Sequence, residues 1–477
     1  MAKKRKNLNG VKSLIRALEG AAELLILAVA YYLVWRHGYE DGLFPDYLGK
    51  GKYVLSGIYV VLTGWFFFTM DGFRFGYLRI SDVLLSQWIA LLGANFITYW
   101  QLCLIANSLI SPIPMLVVMV IGAVVALICT VFYTWIYHHL YVPKSMAMIF
   151  GRNEAVTLKF KMETRPDKYR VVKLISVEEG FEKICQQIVN YDAVIINDIS
   201  AEIRNDILKF CYKNKIRTYL TPKITDIVVR GAEDINLFDT PLLLVRGNGL
   251  TPMQRLLKRA MDLLICMVAM VVAAPIMLVV ALAIKLEDGG PVFFRQDRVT
   301  LGGKVFSILK FRSMIVDAEK EGHSIPATGR DPRITKVGNV IRATRLDELP
   351  QLLNIIKGDM SIVGPRPERV EHVENYCRDI PEFALRTNVK GGLTGYAQIY
   401  GKYNTSPYDK VRLDMMYIEN YSLMLDIKLI LMTIRIMLKK ESTEGFEKVE
   451  ETQKLVEETL EQVHKEQQEA DLVGAEK

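Results

Sequence analysis

The sequence predicts a membrane protein of mixed class: a four-span α-helical bundle, a degenerate Rossmann-like α/β module, and a mixed α/β domain entered through an apolar helix broken by proline. Three observations predict it. Half of the 477 residues are hydrophobic, the mean hydropathy is positive, and the apolar residues cluster toward the N-terminal end. Between residues 145 and 245, short β-rich runs alternate with polar helical stretches. A later apolar stretch, Leu263–Leu286, carries Pro275 in its middle.

The first region, 1–143, holds four apolar stretches at roughly 18–35, 53–70, 83–106 and 113–137. Each is about long enough to cross a bilayer core of ~30 Å at 1.5 Å per residue. The first lacks a small-residue cleavage site and more apolar spans follow it, so it does not read as a cleaved signal. Lys3, Lys4, Arg5, Lys6, Lys12 and Arg16 precede it, which predicts a cytoplasmic N-terminus. Arg74 and Arg79 then fall inside, and the uncharged loop Asn107–Pro112 outside. Arg36, Lys50 and Lys52 in the first loop weaken this pattern, yet four spans return the chain to the cytoplasm at His138–Lys144.

In the second region, 144–245, the runs MAMIF, RVVKLI, DAVII and RTYL alternate with helical stretches at 178–190 and 201–214. That rhythm predicts a small parallel sheet with flanking helices. The turn after the first strand reads Phe150-Gly151-Arg152-Asn153, one glycine where the dinucleotide fingerprint needs three, so its backbone is not built to approach a pyrophosphate. A structural or regulatory module is the reading that remains.

Proline in a helix interior removes a hydrogen bond and crowds the preceding turn. The stretch around Pro275, residues 260–286, therefore reads either as a kinked fifth span or as a re-entrant helix–break–helix that enters and leaves one leaflet. Lys258 and Arg259 at one end and Lys285 at the other favour the second, since all can meet anionic head groups. The tail 439–477 has twelve acidic against six basic residues, so the formal charge of +7 becomes +13 over the rest of the chain. Such an excess suits anionic lipids or phosphate-rich substrates; no nucleic-acid-binding motif is present. The tail reads as a solvated, partly helical extension. Six scattered cysteines without C-x-x-C spacing point to a reduced compartment and no structural metal, and none of the six histidines, His323 and His372 among them, has metal-ligand spacing.

The chemistry concentrates in residues 291–400. Gln296-Asp297-Arg298 comes first, then Lys310-Phe311-Arg312-Ser313-Met314 and Asp331-Pro332-Arg333. Arg342 and Arg345 precede Asp347-Glu348-Leu349-Pro350-Gln351, and Gly364-Pro365-Arg366-Pro367 and Gly391-Gly392-Leu393-Thr394-Gly395 follow. Basic side chains on rigid turns suit phosphate oxygens, and adjacent carboxylates suit a divalent cation, a nucleophile, or both. Read locally, Asp347-Glu348-Leu349-Pro350 is also an ordinary helix start, with Asp as N-cap and Pro in the first turn. Lys310 and Arg312 lie in an alternating run that also reads as a solvated strand edge, whereas Arg366 between two prolines has a fixed direction.

Residues Arg259–Leu438 together resemble the bacterial sugar transferase family of polyprenyl-phosphate phosphoglycosyl transferases. The shared landmarks are K-R-x-x-D (Lys258–Asp262), the proline-broken apolar segment, R-Q-D-R-V (Arg295–Val299), K-F-R-S-M, D-P-R-I-T, R-x-x-R-L-D-E-L-P-Q-L-L-N, G-D-M-S-I-V-G-P-R-P-E and L-T-G-Y-A-Q. The upstream spans and α/β module are similar to the family's large membrane form. The resemblance implies an α/β-mixed monotopic catalytic domain, 255–438, with a re-entrant helix broken at Pro275. It places the domain on the cytoplasmic face of the bacterial inner membrane. The implied reaction moves a sugar-1-phosphate from a UDP-sugar to undecaprenyl (polyprenyl) phosphate and releases UMP, initiating exopolysaccharide or capsule repeat units. Asp347 is the implied nucleophile and Glu348 the implied Mg²⁺ ligand; a carboxylate approaching a pyrophosphate needs cations to neutralise the developing charge, and Arg342 and Arg366, together with Lys310 and Arg312, are the candidate substrate-binding cations. Membrane lipids and polysaccharide-assembly proteins are the other implied partners. Ala274 stands where some members have Ser, and Gly391-Gly392 where Pro-Gly is common. A glycosyltransferase releasing UDP, and a silent membrane scaffold, are the rival readings.

Overall fold

A computed structural model of the chain describes residues 8–39, 50–140, 143–151, 154–235, 239–247, 249–316, 318, 331–401 and 405–437. Lys3–Lys6, His323 and the acidic tail lie outside them.

The chain divides into two compact units. The first holds four long helices, α1 (Leu8–Gly38), α2 (Gly51–Thr69), α3 (Ile80–Ala106) and α4 (Ile113–Leu140), the four expected apolar stretches. They form a ring in which α1 packs on α2 and α4, and α3 packs on the same two. Tyr31 of α1 stacks on Tyr59 of α2 with centroids 4.2 Å apart. A polar link crosses the same interior: Gln87 Nε2 donates to Glu23 Oε1 at 2.9 Å and Thr130 Oγ1 donates to Gln87 Oε1 at 2.9 Å. Outward positions such as Leu25, Val61, Phe96 and Val120 are exposed and apolar. That inside-out pattern is what a lipid solvent demands. With a later helix described below, five helices are long and apolar enough to cross a membrane, and the protein is an integral membrane protein.

The second unit opens with a four-stranded sheet. Its strands are β1 (Lys144–Phe150), β2 (Tyr169–Ser176), β3 (Ala193–Asn197) and β4 (Arg217–Leu220), in the order β2-β1-β3-β4. β3 pairs in parallel with both neighbours, Met146 facing Ala193 and Ala193 facing Arg217. The helices α5 (Glu154–Glu163), α6 (Phe181–Ile188) and α7 (Ala201–Lys213) connect the strands. Every residue of β3 is buried, as expected of a strand covered on both faces. Gly151 has a local purpose: a Cβ there would lie 2.7 Å from the Asp198 carbonyl.

Helix α8 (Ile224–Arg230) turns Ile224 and Ile227 into the core shared with Val411 and Ile418, and the hairpin β5 (Glu233–Ile235)–β6 (Leu242–Leu244) follows. Thr251 then caps α9 (Pro252–Asp288): its Oγ1 accepts from Gln254 N at 3.3 Å, and Gln254 Oε1 accepts from Thr251 N at 2.8 Å. The structure carries helix α9 through Pro275 as one run of 37 residues; an interior proline removes one hydrogen bond and crowds the preceding turn, so it bends a helix without having to end it. The flanking cations are also differently employed. Lys258 Nζ donates to Asp426 Oδ2 at 2.6 Å in a buried pair, and Arg259 donates to the carbonyls of Ile355 and Ile356 at 2.6 and 2.7 Å.

The hairpin β7 (Phe293–Val299)–β8 (Val305–Phe311) is antiparallel, with Phe294 opposite Lys310. Beyond it come α10 (Lys336–Ala343), α11 (Gln351–Lys357), β9 (Ser361–Val363), α12 (Val370–Asp379), β10 (Gly392–Thr394), α13 (Tyr396–Tyr400), α14 (Pro407–Glu419) and α15 (Leu423–Met437). β9 and β10 pair in parallel. Their core runs through Ile355, Met360, Val363, Phe383, Val411 and Leu429.

Candidate active site

Arg345 adopts a left-handed conformation, φ 56°, directly after α10. That bend ends the helix and starts the 3-10 turn Leu346–Glu348. Helix α11 begins only at Gln351, with Pro350 at its cap position and no side-chain cap. The local reading of Asp347 as a helix cap is therefore corrected: the turn holds Asp347 and Glu348 apart from the helix, and neither carboxylate is consumed by its N–H groups.

Two cations converge on one oxygen of Glu348. Arg366 Nη2, from the turn after β9, lies 2.8 Å from Oε1, and Lys310 Nζ, from β8, lies 3.3 Å from the same atom. Arg366 Nη1 also donates to Gln398 Oε1 of α13 at 3.1 Å. Burial alone would raise the Glu348 carboxyl, but Arg366 and Lys310 hold it down to about 2. Asp347 behaves in the opposite sense. Burial and the neighbouring Glu348 charge push its carboxyl above the ordinary range, against the pull of Lys310 and Arg342. No hydrogen bond or ion pair from another residue reaches Asp347 among the described residues. Adjacent carboxyls pushed in opposite directions are a mark of divided roles.

Four of the expected residues thus come together: Asp347, Glu348, Lys310 and Arg366, with Arg342 close enough for its charge to act on Asp347. Arg312 does not join them. Its Nη1 donates to Asp288 Oδ2 at 2.6 Å, Nη2 pairs with the other oxygen of Asp288, and Nε donates to the Pro291 carbonyl at 2.7 Å. One residue past the end of β8, it ties that strand to the end of α9, and the contacts it makes here are architectural. Gln398, Arg298, Arg386 and Asp414 belong to the surroundings of Arg366, and the sequence assigns none of them a role of its own. Gln398 and Arg298 stand inside quoted motifs; Arg386 and Asp414 carry no local signal.

Among the described residues, no three His, Cys, Asp or Glu side chains gather as a metal cage. Asp347 and the second oxygen of Glu348 remain open, however, and no donor reaches that oxygen among the described residues. One or two carboxylates completed by phosphate and water are a donor set that Mg²⁺ accepts. The residues present therefore fit a cation that arrives with a phosphate substrate.

The family described as "Bacterial sugar transferase" matches residues 253–440. The chain is similar to a UDP-N-acetylgalactosamine-undecaprenyl-phosphate N-acetylgalactosaminephosphotransferase of Aeromonas hydrophila, 38% identical over 262 residues, 52% of this chain and 60% of that protein. It is similar to UDP-glucose:undecaprenyl-phosphate glucose-1-phosphate transferases of Escherichia coli, 43% identical over 43% of this chain and 44% of that one, and of Caulobacter vibrioides, 42% identical over 42% and 77%. The match spans about half the length of the first of these relatives and of the Escherichia coli protein. With the Caulobacter protein matched over more than three quarters of its length, and the family's range 253–440 holding Asp347 and Glu348, this chain belongs to the bacterial sugar transferase family.

Proposed function

We propose that the protein transfers a sugar-1-phosphate from a UDP-sugar to undecaprenyl phosphate, with Asp347 as nucleophile. One observation carries this reading: of two adjacent, half-buried acids, Glu348 is clamped by Arg366 and Lys310, while among the described residues no other side chain bonds to Asp347, on which Lys310 and Arg342 act only through their charge. A nucleophile must keep its lone pairs free, and a pyrophosphate must be met by cations. The names of the similar proteins support the same donor and acceptor classes.

In the proposed sequence a carboxylate oxygen of Asp347 attacks the sugar-bearing β-phosphorus. The bond from that phosphorus to the bridging oxygen breaks and UMP leaves. An oxygen of undecaprenyl phosphate then attacks the same phosphorus, forms the new diphosphate link and frees the Asp347 carboxylate. Arg366, Lys310 and Arg342 hold phosphate oxygens and balance the charge that develops on them. Mg²⁺ on Glu348 supplies further charge neutralisation at the pyrophosphate when bound.

The acceptor side rests on α9. Its N-terminal part is tied to the catalytic core through Lys258, Arg259 and Asp262, the last accepting from Ser361 Oγ at 2.7 Å. Its C-terminal end is tied to the same domain through Asp288 with Arg312 and through Glu287, which accepts from Lys336 N at 2.7 Å. A helix that crossed the bilayer would carry its ends to opposite sides, so this double attachment supports a segment that dips into one leaflet. The outward faces of Val268, Val271, Val272 and Val279 supply apolar surface for lipid. We place the catalytic domain at the cytoplasmic face of the inner membrane, where a nucleotide sugar is available.

Incubation of purified membranes with a panel of UDP-sugars and undecaprenyl phosphate tests the reading. UMP as the released nucleotide is expected, and EDTA should abolish the release with Mg²⁺ restoring it. Release of UDP would instead make the protein a glycosyltransferase.

A further inference from the structure

The turn that carries Arg366 is held by two arginines from distant parts of the chain, on successive residues. Arg386 Nη2 donates to the main-chain carbonyl of Arg366 at 3.1 Å, and Arg298 Nη1 donates to the carbonyl of Pro367 at 3.1 Å. Each arginine is fixed in turn. Arg386 Nε donates to Asp414 Oδ2 at 2.6 Å, and its guanidinium lies over the Phe383 ring at 4.6 Å. Arg298 Nη2 donates to Gln296 Oε1 at 2.5 Å. Arg386 is 6% exposed and Asp414 is fully buried. The second oxygen of Asp414 has no hydrogen-bond partner among the described residues, so this buried charge is matched by Arg386.

A buried ion pair rarely stabilises a fold better than apolar side chains of similar volume. Its retention at this place therefore calls for a geometric reason. Pro365 and Pro367 stiffen the turn but leave its two carbonyls to be satisfied and its rotation to be set. Two guanidinium groups, one on β7 and one in the 3-10 segment Pro381–Asn388, set both.

We propose that Arg386, held by Asp414, and Arg298 are positioning residues that aim the Arg366 guanidinium at Glu348 and the substrate phosphate. The inference rests on the phosphotransfer reading above for its kinetic consequence, and on geometry alone for its structural one. Misplacement of a phosphate-clamping group by about 1 Å costs on the order of 100-fold in rate, while affinity contributed by the rest of the substrate is retained.

The test uses the full-length protein in detergent, with undecaprenyl phosphate and whichever of UDP-glucose, UDP-galactose and UDP-N-acetylgalactosamine the unaltered protein turns over. Arg386→Met alone leaves Asp414 buried and unpaired, so the double change Arg386→Met with Asp414→Leu removes both charges and keeps the fold testable. It should lower kcat about 10- to 100-fold with KM within about threefold. Arg386→Lys should recover part of the loss. In an Arg366→Ala background the same double change should cost less than about twofold more, because its effect passes through Arg366. A full additional loss there would show a general structural role and overturn the proposal. Hydrogen exchange over residues 361–369 reads the grip without turnover: faster exchange in the double variant is expected, and unchanged exchange overturns the proposal. A protein that releases no UMP from any of these donors would sink the phosphotransfer reading, and the exchange measurement would still decide the positioning role.

Discussion

Arg366 Nη2 sits 2.8 Å from Glu348 Oε1, so the second acid of the pair is neutralised while, among the described residues, no other side chain bonds to the first, Asp347. We expect Asp347→Asn to lower UMP release by at least about 1,000-fold, as removal of a covalent nucleophile does. Glu348→Gln should leave a measurable residue of activity and raise the Mg²⁺ concentration needed for half-maximal rate. Equal losses in the two variants, with no change in Mg²⁺ response, would count against divided roles.

The pH dependence follows from Asp347. Its carboxyl is pushed up by burial and by the charge of Glu348, and pulled down by Lys310 and Arg342. A nucleophile acts ionised, so activity is present above this raised value and lost as the pH falls through it. The acid limb of kcat/KM, which reports the free enzyme, should lie above the ordinary 3.8 of an aspartate. Arg342→Met removes one of the lowering charges and should move the limb higher still. A pH–rate profile with its acid limb at or below 3.8 would exclude Asp347 as the titrating group.

Arg312 gives a contrasting case. With its donors on Asp288 and the Pro291 carbonyl, Arg312→Ala should lower the melting temperature and leave KM for the UDP-sugar unchanged. Lys310→Ala should do the reverse, because Lys310 faces Glu348. Thermal unfolding alongside steady-state kinetics separates the two.

Lys258 and Asp426 form a buried pair at 2.6 Å, with Tyr417 donating to Asp426 Oδ1 at 2.8 Å. Lys258→Met strands a buried carboxylate and should cost about 3–5 kcal/mol, whereas adding Asp426→Leu should recover most of that. Denaturant unfolding of the purified protein measures both; a double variant no more stable than the single one would contradict this account.

The topology of α9 is open to cysteine labelling. Single cysteines introduced next to Lys258 and Lys285 should both react from the cytoplasmic side of sealed vesicles. Reaction from opposite sides would make α9 a crossing helix.

Much of the architecture was legible in the residues. The four apolar stretches became α1–α4 because a backbone in lipid must satisfy its own hydrogen bonds, which ties length and composition directly to a helix. MAMIF and DAVII became β1 and β3 because uninterrupted β-branched and apolar runs suit strands covered on both faces. The acid pair and its basic clusters were also legible, since multiple cations on Gly/Pro turns have few other uses. The tertiary structure decided what each cation does. Lys310 on β8 and Arg312 just past its end stand two apart in the chain, and only the packing of α9 against this strand sends the first to Glu348 and the second to Asp288. The continuity of α9 through Pro275, the escape of Asp347 from a capping role, and the hold of Arg386 and Arg298 on the Arg366 turn have the same origin. Sequence fixes which groups a side chain offers, whereas its partner is chosen by contacts between residues far apart in the chain, Arg386 and Asp414 being 28 residues distant and Arg298 and Pro367 69.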